Sequence, residues 1–185
     1  MLNFEEHVAK GNEFIKTVSA EIGHSENPGS SLILFRAVLH TLRDIIPVAE
    51  SLQLLAQLPS FLKLIYVDSW KYRPEPAKIY TIEDFANEVE LKQTQYGEKD
   101  FNFGENTREL SIYVMNTLRR YVDPGEYEDI LANLSGELRN YFAVTKNAHP
   151  NTMGKELPDD YPVDRFPISG DIKLKRKSGE REGSE

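Results

Sequence analysis

The 29 residues from Val38 to Tyr66 lie without a gap over the 29 from Val114 to Phe142, at an offset of 76, and nine positions are identical. These are Val38/Val114, Thr41/Thr117, Leu42/Leu118, Arg43/Arg119, Glu50/Glu126, Leu55/Leu131, Ala56/Ala132, Leu58/Leu134 and Leu62/Leu138. Chance supplies roughly two matches, so one fixed period is the simpler reading. Upstream, FIKTV at Phe14 answers FANEV at Phe85, at an offset of 71, so one half carries a few extra loop residues. A chain of this kind is expected to form two fused helical repeats of three to four helices each, packed as one bundle-like, all-α body. The expected boundaries are residues 1–80 for the first repeat with its Pro-rich connector, 81–145 for the second repeat, and 146–185 for an extended or disordered tail.

Apolar spacing makes the repeated segments helical rather than extended. Phe4, Val8, Phe14, Ile15, Val18 and Ile22 mark one face of a first helix, interrupted near Gly11 and stopped at Gly23. Pro28 opens a second helix that buries Leu32, Phe35, Val38, Leu39, Leu42, Ile45 and Ile46. Pro47 forces a turn and a restart, with Glu50 at the positive end of the new helix dipole. Leu54, Leu55 and Leu58 carry that third helix to Pro59, and Phe61, Leu62, Ile65 and Tyr66 form a short fourth. Pro74 and Pro76 keep the following connector extended. Thr81 with Asp84 reads as a capping box, and Asp123-Pro124 as an N-cap followed by proline at the first helical position. The segment YGEKDFNFGEN reads as a loop.

Thirty acidic against 22 basic residues leave a net charge of −8, which repels phosphate backbones, so nucleic-acid binding is not expected. The absence of cysteine removes disulfides, thiol nucleophiles and thiolate metal sites and fits a cytoplasmic protein. Glu5 and Glu6 stand where a secretion signal needs a basic start, and the richest apolar stretch, Leu52 to Val67, is cut by Pro59, so neither secretion nor membrane insertion is expected.

No chemical site assembles from the motifs. Glu21-x-x-His24 has di-metal spacing, but Gly23 puts His24 at the helix end and the matching region offers Lys92 instead of a second carboxylate. His40, on the flank of an apolar stripe, reads as a satisfied boundary histidine rather than a general base. No nucleophile elbow and no phosphate loop are present, so no catalytic residue, cofactor or metal is expected. Arg43 and Arg119 occur in both halves and read as fold devices that satisfy helix-end carbonyls or pair with nearby carboxylates. Features confined to one half mark where asymmetric function sits: His40, Pro59, and Asp68 with Trp70, the last reading as a plug over the helical core. In the tail, KLKRK is neutralised by acids downstream, and Leu157 to Ser169 alternates prolines with apolar residues as an extended strap does.

Three blocks, RAVLHTLRD at Arg36 to Asp44, AQLP at Ala56 to Pro59 and YVDSW at Tyr66 to Trp70, resemble the signature of the bacterial family catalogued as domain of unknown function 2267. The resemblance covers roughly residues 10 to 142 and implies a duplicated all-helical domain with no assigned activity. The family pattern usually has glycine at Ser69, which implies a different turn before Trp70 in this chain. The functional expectation is therefore a non-enzymatic interaction or scaffold module that binds a protein partner or itself. Its alternative is an apolar small-molecule binder using Phe61, Tyr66, Trp70 and Tyr72 from one half with Tyr121, Tyr141 and Phe142 from the other, and an unrecognised enzyme ranks last. The ligand or interface candidates are His40, Phe61, Tyr66, Asp68 and Trp70.

Overall fold

A computed structural model describes residues 4–97 and 107–144; the tail expected over 146–185 and most of the YGEKDFNFGEN loop lie outside the described residues. Those residues form eight α-helices and no strand: α1 (Phe4–Glu21), α2 (Pro28–Ile45), α3 (Val48–Gln57), α4 (Ser60–Val67), α5 (Ile82–Gln95), α6 (Thr107–Arg119), α7 (Pro124–Ala132) and α8 (Gly136–Val144).

The helix ends follow from local chemistry. At the end of α1, Gly23 takes a left-handed φ of 78° that lets its amide reach Ala20 O and the His24 amide reach Ser19 O, closing the orphan carbonyls of the last turn. Asn27 caps α2 through Ser30 N, with Pro28 at the first position. Pro47 and Pro59 stand at the N-caps of α3 and α4, where their own missing N–H costs nothing and their carbonyls accept from Ser51 N and Lys63 N. Ser135 does the same work before α8, accepting from Leu138 N at its hydroxyl and Arg139 N at its carbonyl. Thr81 accepts from Asp84 N, but the capping box is not reciprocal: the Thr81 hydroxyl donates to the Asp84 carboxylate. Asp123 caps α7 through Gly125 N.

α1 is continuous through Gly11, contrary to the expected interruption. A side chain at Gly11 would meet the Phe61 Cβ at 3.6 Å, so the glycine sits where α1 lies against α4 rather than at a break. One glycine costs a helix about 1 kcal/mol, which the burial of Phe14 and Val18 one turn on outweighs.

α2 is the axle. It packs against α1, α4, α5 and α6, so its apolar surface extends almost around the helix: Leu34, Phe35, Ala37, Val38, Leu39 and Leu42 are all buried, whereas Leu32, counted in the expected stripe, is half-exposed. α5 lies against α6 and α8, α3 against α7, and α7 against α8. A single cluster of buried apolar side chains runs from Phe14 on α1 to Phe142 on α8. No helix among the described residues is long and apolar enough to cross a membrane.

Candidate functional site: a polar lock between α2, α4 and α5

Arg36, His40, Arg43 and Asp44 stand at helical spacings of four, three and one on α2, which turns one stripe of the central helix polar. That stripe faces the C-terminal ends of α4 and α5. His40 is fully buried, deeper than the boundary position expected for it. Its Nε2–H donates to Ile65 O at 2.6 Å, and Tyr96 Oη, 2.6 Å from Nδ1, donates to the other ring nitrogen. A carbonyl only accepts, so Nε2 carries a proton, and burial, which disfavours the charged ring, leaves Nδ1 as the acceptor. Burial, with lesser contributions from the Arg43 and Arg36 charges, pushes His40 down from 6.5 to about 4, against the opposing pull of the Ile65 carbonyl.

Arg43, also buried, donates to Tyr66 O and, at 3.3 Å, to Asp68 O, and its Nε lies 3.6 Å from Asp44 Oδ1. Together His40 and Arg43 occupy the carbonyls that the last turn of α4 leaves without partners. Asp44 also accepts from Lys92 Nζ at 2.9 Å, and Lys92 reaches Glu88 at the same distance. Burial pulls the Lys92 ammonium down, but the hydrogen bonds to Glu88 and Asp44 outweigh it and hold the group above its ordinary value. Arg36 pairs with Asp68 and lies 3.9 Å over the Tyr96 ring.

The five candidate residues divide. His40, Tyr66, Asp68 and Trp70 meet at this lock. Tyr66 is fully buried, its ring 5.7 Å edge-on from Trp70, and the Arg43 guanidinium lies 5.4 Å over the Trp70 ring. The Tyr66 hydroxyl sits beside Ser51 but finds no hydrogen-bond partner among the described residues, and burial raises it far above its ordinary value. Asp68 is half-exposed in its pair with Arg36. Trp70, half-buried, closes the end of the cluster. Between them Ser69 takes φ 53°, the left-handed conformation that glycine adopts freely, so the turn keeps a glycine-type backbone despite its serine.

Phe61 lies elsewhere, with Phe14 at 5.2 Å and Tyr121 at 6.2 Å between ring centres. The aromatic residues expected at one junction are thus separated: Phe61 and Tyr121 cluster with Phe14, Tyr66 packs on Trp70, Phe142 packs on Tyr141 and Phe85, and Tyr72 is exposed. An open groove of about 340 Å³ does exist, between residues 75–80 and the α7–α8 turn, but among aromatics only Tyr80 lines it.

The remaining motifs are committed elsewhere. Glu21 accepts from Thr117 Oγ1 on α6 and pairs with Arg120 just past its end, while His24, past the Gly23 turn, contacts Glu26 at 3.2 Å. Arg43 pairs with Asp44 rather than Glu50, and Arg119 lies over the Tyr127 ring. Arg36, Asp44, Lys92 and Tyr96 were not among the expected site residues. The signal for the first two was available: four polar residues on one face of a helix that is otherwise apolar.

The lock also links two of the signature blocks, since Arg43 and Arg36 of RAVLHTLRD dock on the backbone and Asp68 of YVDSW, and His40 on the Ile65 carbonyl just before it. The family described as an uncharacterized conserved protein, DUF2267, matches residues 11–141. The chain belongs to this family. All the residues of the lock lie inside the DUF2267 region. No curated protein matches the chain.

Proposed function

We propose that this DUF2267 chain is a non-enzymatic interaction module of the cytosol, docking a protein partner through the outward face of α4. The observation that carries the reading is a contrast. The polar residues of the signature are spent on one another and on helix ends, whereas α4 turns Leu64, 71% exposed, and Val67, 40% exposed, to the outside. The corresponding α8 positions are Asn140 and Ala143, so the apolar face is peculiar to the first half. A cysteine-free composition and an acidic net charge support the cytosolic setting.

The test is chemical cross-linking in cells producing wild-type chain or the Leu64→Glu/Val67→Glu variant, with thermal unfolding confirming equal folding of the two. Loss in the variant of partners cross-linked through α4 supports the reading. Retention of the same partners, or no cross-links to α4 in either, overturns it. A second reading, binding of an apolar small molecule, is favoured only by the 340 Å³ groove, whose Ile45, Pro47, Ile79 and Leu134 offer an apolar lining. Tyr80→Ala, which opens that groove, tests it by the loss of any ligand-induced rise in melting temperature.

A further inference from the structure

The seam between α3 and α7 carries a buried carboxylate that the fold leaves unpaired. Glu126, on the first turn of α7, is 8% exposed. One of its oxygens, Oε2, accepts from Gln57 Nε2 at 3.1 Å. The other, Oε1, is closed off from solvent and has no hydrogen-bond partner among the described residues. Gln57, at the end of α3, completes a bridge: its Oε1 accepts from Asp123 N at 2.7 Å, so one amide side chain holds both the cap residue and the first turn of α7.

The charged groups that face Glu126 are acidic on every side for which the structure gives an interaction: Glu50 from α3, and Asp123 and Asp129 from the cap and body of α7. From α8, Arg139 is spent on the Leu131, Ala132 and Leu134 carbonyls at the end of α7, and Glu137 accepts from Ile82 N. The ionised form of Glu126 therefore buries a negative charge that no cation faces, among like charges, and protonation removes both the buried charge and the repulsion. An external cation cannot reach Oε1 without opening the seam, because that atom is covered. The ligand that fits is a proton.

We propose that Glu126 makes the α3–α7 seam a proton-operated clasp, tight when Glu126 is protonated and loosened when it ionises. Gln57 transmits the change, because the same side chain that donates to Glu126 also holds the Asp123 amide. Burial first, then Glu50, Asp129 and Asp123, raise Glu126 above the ordinary carboxylate range, in agreement with this direction. The sign is that of a group raised by folding: its stabilisation is complete below the unfolded value and is lost as pH rises through the folded value.

The test uses the full chain. Carboxyl ¹³C shifts follow the titration of Glu126, and hydrogen exchange, corrected for intrinsic rates, follows the Asp123 amide between pH 4.5 and 7. Expected is a Glu126 midpoint above that of an exposed glutamate, with Asp123 protection falling as pH rises through it, by up to about tenfold per unit of displacement. In Glu126→Gln, protection of the same amide is expected to stay flat. If that variant fails to fold, Glu50→Gln replaces it, and the Glu126 midpoint must move down. An ordinary Glu126 midpoint, a pH-dependence that survives in Glu126→Gln, or a midpoint unmoved in Glu50→Gln overturns the clasp.

Discussion

Acidification from pH 7 to 4 should remove a defined share of this protein's stability through His40 alone. The group is fully buried and held neutral, with a folded value of about 4 against 6.5 for an unfolded histidine. A histidine lowered by folding contributes stability that is fully present above the unfolded value and is lost as pH falls toward the folded one. The displacement, 6.5 − 4, is about 2.5 units, and at 1.36 kcal/mol per unit it corresponds to about 3 kcal/mol. Carboxylates also titrate in this window, so the measurement must be differential. His40→Gln keeps an amide donor for Ile65 O and an acceptor for the Tyr96 hydroxyl but cannot ionise. Urea unfolding of wild type and variant at several pH values between 7 and 4 then gives two stability curves. Whatever the variant costs at pH 7, the wild-type curve should fall more steeply, by about 3 kcal/mol over the window, equivalent to roughly 6–12 °C in melting temperature. Parallel curves, diverging by less than about 1 kcal/mol, would refute the buried neutral imidazole and with it the geometry of the lock.

Tyr66→Phe removes a buried hydroxyl that has no hydrogen-bond partner among the described residues, so thermal unfolding should show no loss and a gain of up to about 1 kcal/mol, where a hydroxyl paired with the neighbouring Ser51 would cost that much. Ser69→Gly relieves a left-handed φ of 53° and should stabilise by about 1 kcal/mol in urea unfolding; destabilisation would show that the serine side chain matters more than its backbone. Gly11→Ala adds a methyl at van der Waals distance from Phe61 inside a continuous helix, and circular dichroism melts should rise by the equivalent of 0.5–1 kcal/mol, roughly the helix-propensity difference. Arg43→Leu strips the Tyr66 and Asp68 carbonyls of their donor and leaves Asp44 to Lys92 alone, at an expected cost of about 2–4 kcal/mol read by denaturant midpoint.

Helix ends were legible because their causes are local. Pro28, Pro47, Pro59, Thr81, Asp123 and Gly23 each act through the backbone of their own turn, and each stands where its chemistry placed it. Gly11 misled because an interior glycine weakens a helix by an amount that tertiary burial easily exceeds, and Phe61, which lies against it, is 50 residues away in sequence. Half of the site was legible too. His40, Asp68 and Trp70 stood out as features of one half only and Tyr66 as an aromatic candidate, and they meet. Their partners on α5 and at its C-cap did not stand out: Lys92 and Tyr96 lie 48 and 56 residues from Asp44 and His40, and that pairing depends on the angle at which α5 crosses α2. The aromatic residues were equally opaque, since a count of rings near a junction does not say into how many clusters packing divides them.

The lock gives the two strongest blocks of the chain a shared physical cause. A short helix such as α4, eight residues long, satisfies few of its own hydrogen bonds, and half its carbonyls lie in the terminal turn. His40 and Arg43 meet those carbonyls from the side, Arg36 fixes the residue just beyond them, and Asp44 anchors the Ala77 amide of the connector through its own carbonyl. A mutation in the α2 block therefore releases the end of α4, the turn at Ser69 and the start of the connector together. Polar residues that are buried, neutral or paired, and aimed at backbone carbonyls serve to hold chain segments in place; chemistry on a ligand needs donors and acceptors left free to meet it. On the other side of α4 the exposed groups are the apolar Leu64 and Val67, and at the α3–α7 seam Glu126 keeps a buried carboxylate oxygen without a hydrogen-bond partner among the described residues.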